Sequence, residues 1–256
     1  MVNFMANVLT NISTIKLMTH VVAGYPDLKT SQDLVWTMVD NGADLIEIQI
    51  PFSDPLADGP TITTANQIAL ENGVTPKQCF QLVEKLRKRI DLPLLVMTYA
   101  NIPFNLGMET FVKKCSDSGI NGLIIPDLPF NIESREFFVT TEKYNIAPIP
   151  VVSPGIKEKR LGNILKLAAG FVYATLRVGT TGARTRIDEQ GIHFLKLLRK
   201  HTRLPIVAGF GISSPEMIRQ LVGFADAAVI GSHIINLLNR QGIEGVGPFI
   251  RRCKNL

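Results

Sequence analysis

The chain has 256 residues, 46% hydrophobic and 19% charged, a composition that can bury a large core and excludes an intrinsically disordered chain. Its net charge of +5 and pI near 9.2 come from scattered basic residues. The small groups at Lys85–Arg89 and Arg251–Lys254 carry no interleaved aromatics and read as solvated helix faces, so no nucleic-acid partner is expected.

Cys79, Cys115 and Cys253 are odd in number and lack CxxC spacing, which argues against a disulfide framework and a zinc site and fits a reducing cytoplasm. No apolar run approaches the ~20 residues that span a bilayer. The N-terminus lacks the basic start of a signal peptide, so a soluble, cytoplasmic protein with no membrane contact is expected.

In chain order, Phe4, Val8 and Ile12 stand at helical spacing and predict a short amphipathic helix across the floor of the fold. Runs rich in Val, Ile and Leu then recur at Leu17–Ala23, Asp44–Ile50, Leu92–Thr98, Gly122–Pro126, Ala147–Val151, Gly170–Thr175, Leu204–Ala208 and Ala227–Ile230. Between them lie helical patterns at Ser31–Val39, Thr75–Arg89, Met108–Ser118, Ser134–Tyr144, Lys157–Leu167, Gln190–His201 and Pro215–Val222. Eight strand–helix units without a linker predict an α/β fold, a (β/α)8 TIM barrel forming one domain over 1–256, close to the roughly 250 residues usual for that fold. An open doubly wound sheet would want GxGxxG after its first strand, and Ala23-Gly24-Tyr25-Pro26 does not supply it.

In Leu45-Ile46-Glu47-Ile48-Gln49-Ile50 the two-residue period sets Leu45, Glu47 and Gln49 on one face and three isoleucines on the other. The isoleucine face suits a helical shell, so Glu47 points into the barrel near its C-terminal rim, where barrel enzymes place their active sites. By position alone Glu47 is either a catalytic acid or a carboxylate satisfied by a buried partner. The loop Pro51–Pro60 adds Asp54 and Asp58, which turn chemistry alone also explains.

The stretch Ile46-Glu47-Ile48-Gln49-Ile50-Pro51-Phe52-Ser53-Asp54-Pro55-Leu56-Ala57-Asp58-Gly59-Pro60 resembles the signature of the tryptophan synthase α-subunit family. Ala23-Gly24-Tyr25-Pro26, Met97-Thr98-Tyr99 with Asn101, Ile125-Pro126-Asp127-Leu128-Pro129, Gly209-Phe210-Gly211-Ile212-Ser213 and Gly231-Ser232 extend the resemblance in order, from about Leu17 to Ile235. It implies a lyase of tryptophan biosynthesis that cleaves indole-3-glycerol phosphate to indole and glyceraldehyde 3-phosphate, with Glu47 and Asp58 as the catalytic acids. Glu47 would carry the proton transfers and Asp58 would face the positive ring N–H. Tyr173 matches a substrate-positioning tyrosine.

Gly211 after the seventh run, and Gly231 and Ser232 after the eighth, lie where barrels commonly bind phosphate, and Gly182 matches a further family phosphate contact. The polar loop Leu176–Gln190, with Arg177, Gly179, Thr180, Thr181 and Arg184, reads as a lid, with Thr181 meeting Asp58 on closure. Three residues depart from the family pattern: His20 stands where an aromatic contacts the indole, Val22 where a threonine is usual, and Gln49 where a small glycine is usual. His20 and Gln49 are expected to line the substrate pocket, and Gln49 to crowd it.

The resemblance also implies a tryptophan synthase β subunit as partner in an αββα heterotetramer. Pyridoxal phosphate would reside in that partner and no cofactor in this chain. Pro51–Asp54 and Asn101–Phe104 are expected at the contact. With four scattered histidines no metal site is expected, and none of the eight runs ends in the lysine a Schiff-base aldolase needs. A sugar-phosphate isomerase or decarboxylase would share the glycine turns without the signature around Glu47. The alternative function is a catalytically weakened α-type subunit that mainly activates the β subunit.

Overall fold

The computed structural model describes residues 5, 7–9, 15–176, 187–209 and 211–256. Nine strands, β1 (Lys16–Val22), β2 (Leu45–Gln49), β3 (Leu94–Met97), β4 (Gly122–Ile124), β5 (Ala147–Ile149), β6 (Val151–Val152), β7 (Val172–Thr175), β8 (Ile206–Gly209) and β9 (Ala227–Ile230), pair in parallel in the order β5-β4-β3-β2-β1-β9-β8-β7-β6. β5 and β6 are one strand interrupted at Pro150, which has no N–H to donate but whose carbonyl accepts from Tyr173 at 3.0 Å. The two ends of the sheet are therefore joined through one residue, and the fold is the eight-unit TIM barrel.

The helices around it are α1 (Leu28–Asp40), α2 (Pro60–Glu71), α3 (Pro76–Arg87), α4 (Asn101–Leu106), α5 (Met108–Asp117), α6 (Arg135–Lys143), α7 (Glu158–Leu167), α8 (Glu189–His201), α9 (Pro215–Arg219) and α10 (Ser232–Lys254), the last broken at Gly242. Among the described residues no helix is long and apolar enough to cross a membrane. Cys79, Cys115 and Cys253 are free and buried.

Prolines account for most differences between the expected and observed strands. Leu92–Thr98 shortens to β3 behind Pro93, Gly122–Pro126 ends before Pro126, and Leu204–Ala208 starts only after Pro205, because a residue without an N–H cannot extend the ladder. Gly170, at φ +77°, bends the chain before β7. The helix α4 is not among the expected ones, since it is a six-residue segment with a proline third and no apolar period.

Closure divides the core in two. Met18, Leu45, Leu95, Ile124, Ile149 and Val207 fill the barrel, whereas Ile46, Ile48 and Ile50 pack outward with the helices, as the two-residue period requires. The floor is plugged by Met5 and Leu9, both buried in the interior cluster, with Val8 packed beside them. Met5 reaches Gly170, where an added Cβ would come within 2.8 Å of its terminal methyl. The N-terminal segment thus has the expected place, but Met5 and Leu9 carry the plug rather than the face set by Val8; Phe4 and Ile12 lie outside the described residues.

Three identical clamps fasten the floor. Asp44, Asn121 and Asp226 each stand one residue before a strand, and each donates its own N–H at 2.8 Å to a carbonyl on the preceding strand, those of Leu17, Leu94 and Ile206. Each side chain then accepts the N–H of that same residue, at 2.8, 2.9 and 2.6 Å. A cation completes every clamp: Lys254 on Asp44, Arg87 on Asn121 and Arg199 on Asp226. The sequence signal for a clamp is an Asp or Asn two or three residues after a glycine and just before an apolar run, a pattern too short to be distinguished from an ordinary turn.

Asp226→Ala removes a buried acceptor from the Ile206 N–H and from Arg199, so unfolding in urea is expected to show a loss of about 1.5–3 kcal/mol. Asp226→Asn, which keeps an acceptor oxygen, is expected to lose less. An alanine variant as stable as the parent chain would show that the clamp contributes nothing.

Candidate active site

At the opposite, C-terminal rim the alternation of β1 and β2 brings two ionisable side chains together inside the barrel. His20 and Glu47 are register partners on these parallel strands. His20 Nδ1 lies 3.0 Å from Glu47 Oε2, with side-chain exposures of only 5% and 4%. Burial alone would hold this imidazole neutral, but the Glu47 charge and hydrogen bond, with contributions from Asp58 and Gln49, outweigh it and raise the His20 pKa above the ordinary 6.5.

Asp58 is delivered by the β2–α2 loop. Its N–H donates to the Pro55 carbonyl at 2.9 Å, closing a turn that points the carboxylate back into the barrel. Oδ2 accepts from Gln49 Nε2 at 2.7 Å and from the Tyr99 hydroxyl at 3.0 Å. The same Tyr99 oxygen accepts the Ala57 N–H at 3.1 Å, and the Tyr99 ring stacks on Phe52 with centroids 5.2 Å apart. Asn66, fully buried on α2, accepts the Phe52 N–H at 3.0 Å and so pins the start of the loop. Burial raises the Asp58 pKa and the neighbouring Glu47 adds to this; the Gln49 and Tyr99 hydrogen bonds and the His20 charge pull it back only in part.

Tyr173 rises from β7, and its phenol stays protonated because burial first, then the Glu47 and Asp58 charges, push its pKa well up. Its ring lies over Gly209 of β8, where an added Cβ would stand 2.7 Å from the hydroxyl oxygen. The missing side chain of Gly209 is what lets Tyr173 lie there.

His20, Glu47, Asp58 and Tyr173 border one cleft of about 980 Å³, counting its open mouth. Glu47, Asp58 and His20 form part of its wall, and Met97, Ile124, Val151 and Val229 supply apolar surface. Gly211, Ser213, Gly231 and Ser232 line it at the ends of β8 and β9, where α10 begins. Gly211 holds φ at +89°, a conformation open to glycine, and no Cβ stands between the cleft and its backbone. Because α10 begins here, the positive end of its dipole falls at this part of the cleft.

Of the residues singled out by sequence, Glu47, Asp58, His20, Tyr173, Gly211, Gly231 and Ser232 meet in this cleft. Gln49 faces the interior as expected, yet it is fully buried behind Asp58 and does not reach the cleft wall; its amide is committed to Asp58 and, at 3.4 Å, to Asn66. It therefore holds an acid and does not crowd the space. Thr181, Gly182 and the rest of the lid at 177–186 lie outside the described residues.

The roles of Tyr99 and Asn66 are not among the sequence expectations, because their partners are 41 and 14 positions away. Nor are those of His233 and Asn236, one turn apart on α10, which line the cleft. Helical spacing from Ser232 is the available signal for that pair. Among the described residues no group of three His, Cys, Asp or Glu side chains is placed to hold a metal ion.

Because its folded-state pKa is raised, Asp58 costs the fold nothing below its ordinary 3.8, where the carboxyl is protonated folded or unfolded, and destabilises it once pH exceeds the folded value. Asp58→Asn is therefore expected to raise the thermal unfolding midpoint at pH 7, with the gain fading as pH falls toward 3.8. A gain that persisted unchanged in acid would exclude ionisation as its cause.

The model of the family described as "Tryptophan synthase alpha chain" matches residues 7–246. The chain is 44% identical over 237 residues to the tryptophan synthase alpha chain of Desulforapulum autotrophicum, covering 93% of each. It is 42% identical over 236 residues to that of Desulfotalea psychrophila, covering 92% of each. Among solved structures, tryptophan synthase from Mycobacterium tuberculosis superposes with a TM-score of 0.91 at 28% identity, over 98% of this chain and 96% of the other. A mutant tryptophan synthase alpha subunit from Pyrococcus furiosus gives 0.87 at 27% identity, over 94% and 98%. On the barrel, the paired acids at its rim and these matches over nearly the whole chain, it belongs to the tryptophan synthase alpha chain family, lyases of tryptophan biosynthesis.

Proposed function

We propose that this chain catalyses the retro-aldol cleavage of indole-3-glycerol phosphate to indole and glyceraldehyde 3-phosphate, working as one barrel domain in the cytoplasm. The observation that carries this reading is a single cleft lined both by Glu47 and Asp58 and by the Gly211 and Gly231 turns. A substrate with a flat apolar ring, a hydroxylated three-carbon chain and a terminal phosphate has a group for each of these surfaces.

The apolar wall of Met97, Ile124, Val151 and Val229 suits the indole ring, with Tyr173 alongside. Glu47 delivers a proton to indole C3, which leaves the ring nitrogen positive. Asp58, held by Gln49 and Tyr99, meets that N–H as a carboxylate and stabilises the charge. A base then takes the proton of the glycerol hydroxyl next to the ring; its O–H electrons form the aldehyde C=O, and the carbon–carbon bonding pair returns to the indole. Glu47, deprotonated in the first step, is the base. The phosphate sits against the backbone of Gly211 and Gly231, Ser232 and the start of α10.

The partner in this proposal is the β subunit in an αββα assembly, which carries the pyridoxal phosphate; this chain binds no cofactor of its own. Its rim supports the idea. Leu56, Phe104 and Ile132 are 85%, 58% and 80% exposed, and they belong to the segments after β2, β3 and β4, three neighbouring strands. Large apolar side chains exposed after neighbouring strands suit a surface that a partner covers.

Glu47→Gln keeps the shape and removes the proton chemistry, and indole release is expected to fall by about 10² to 10⁴ while a substrate analogue still binds. Release within a factor of two of the parent chain would refute the assignment. Leu56→Asp is expected to weaken β-subunit binding about tenfold or more, about 1.4 kcal/mol, with the unfolding midpoint unchanged. Equal affinity in a titration would place the contact elsewhere.

A further inference from the structure

His20 is one of the departures from the family pattern noted above, and its geometry goes beyond that of a wall residue. Nδ1 is 3.0 Å from Glu47 Oε2 on the neighbouring strand. Nε2 is buried and has no hydrogen-bond partner among the described residues. The ring borders the cleft and backs onto the β9–α10 turn, where a Cβ added to Gly231 would stand 3.4–3.6 Å from its Cβ, Cγ and Cδ2. The imidazole is thus fixed between Glu47 and the turn, with one nitrogen on the acid and the other unsatisfied at the site.

A carboxyl and an imidazole in such contact hold one proton between them, as imidazolium with carboxylate or as imidazole with carboxylic acid. The two forms differ only in where the proton lies along one hydrogen bond. We propose that His20 is a positioning residue that stores the proton Glu47 passes to the substrate, so that the acid of this site is a histidine–glutamate pair and not a lone carboxylic acid. The inference rests on the retro-aldol reading.

The steps balance. The Nδ1 proton moves to Oε2, and the carboxyl O–H then delivers it to indole C3, forming the new C–H bond and leaving neutral imidazole beside carboxylate. In the second step the glycerol hydroxyl proton moves to the carboxylate as the carbon–carbon bond breaks, and from there back to Nδ1. One proton leaves the pair and one returns, with no oxidant or reductant required.

The groups around His20 favour a charged ring. Burial opposes it, while Glu47 and Gln49 from β2 and Asp58 from the following loop favour it, and the balance is upward. Tyr173 across the cleft stays a neutral phenol. On the α10 side His233 is held below its ordinary 6.5 by burial and by Arg240 and Arg252, so it adds no cation near neutral pH. Turnover should therefore persist above pH 6.5 and fall as pH rises through the folded-state value of the pair.

Two measurements test this. An imidazole titration by NMR is expected to show His20 titrating above 6.5 in the parent chain and at least about one pH unit lower in Glu47→Gln. In steady-state cleavage, His20→Gln keeps a hydrogen-bond donor for Glu47 but no transferable proton. Its kcat is expected to fall about tenfold or more, with KM changed by less than about threefold and the alkaline limb displaced. A His20→Gln enzyme with kcat and pH profile within about twofold of the parent overturns the proposal, as does a His20 titration that ignores the Glu47 substitution. If His20→Gln does not fold, the titration decides alone. If the parent chain releases no indole, the retro-aldol reading fails, and the titration still reports whether the pair shares its proton.

Discussion

A carboxylate inside a closed barrel must be hydrogen-bonded, paired or protonated, because the surrounding side chains offer no water to replace its hydration. This chain places two such groups at one rim and meets the requirement differently for each. Glu47 has a titratable partner, His20, on the adjacent strand. Asp58 has two neutral donors, Gln49 and Tyr99, on strands β2 and just beyond β3. Two of the departures from the family pattern, His20 and Gln49, are bonded to the acids themselves, one to each.

The two ends of the barrel divide the work. At the floor, Met5 and Leu9 fill the opening, and Asp44, Asn121 and Asp226 tie strand starts together with paired backbone and side-chain hydrogen bonds. Charge there is satisfied locally and has no access to the cleft. At the rim, His20 Nε2 and Gln49 Oε1 stay buried without a hydrogen-bond partner among the described residues, and the Asp58 pKa is displaced upward. The rim thus keeps perturbed groups beside the cleft, while the floor holds the strands in register for them.

Much of this is legible in the sequence. The two-residue period of Leu45–Ile50 puts Glu47 inside and the isoleucines outside without reference to any partner, because a strand's alternation is a local property of its backbone. Eight apolar runs separated by helical patterns point to the barrel, and a signature from Ile46 to Pro60, with Gln49 as its departure, points to the family. Expected and observed strand ends part chiefly beside Pro93, Pro126 and Pro205, where apolar character continues but the N–H needed for pairing is missing.

What only the tertiary structure decided was who meets whom. The contact of His20 with Glu47 needs β1 and β2 in one register, that of Tyr99 with Asp58 needs a loop folded back over β3, and the place of Tyr173 depends on a missing side chain in β8. Gln49 illustrates the limit best: alternation fixed its face, yet whether it blocked the cleft or held an acid depended on where Asp58 came to lie, nine residues away. Local periodicity determines the direction of a side chain; its partner is set by closure of the sheet, which brings together residues whose separation in sequence carries no information about their distance in space.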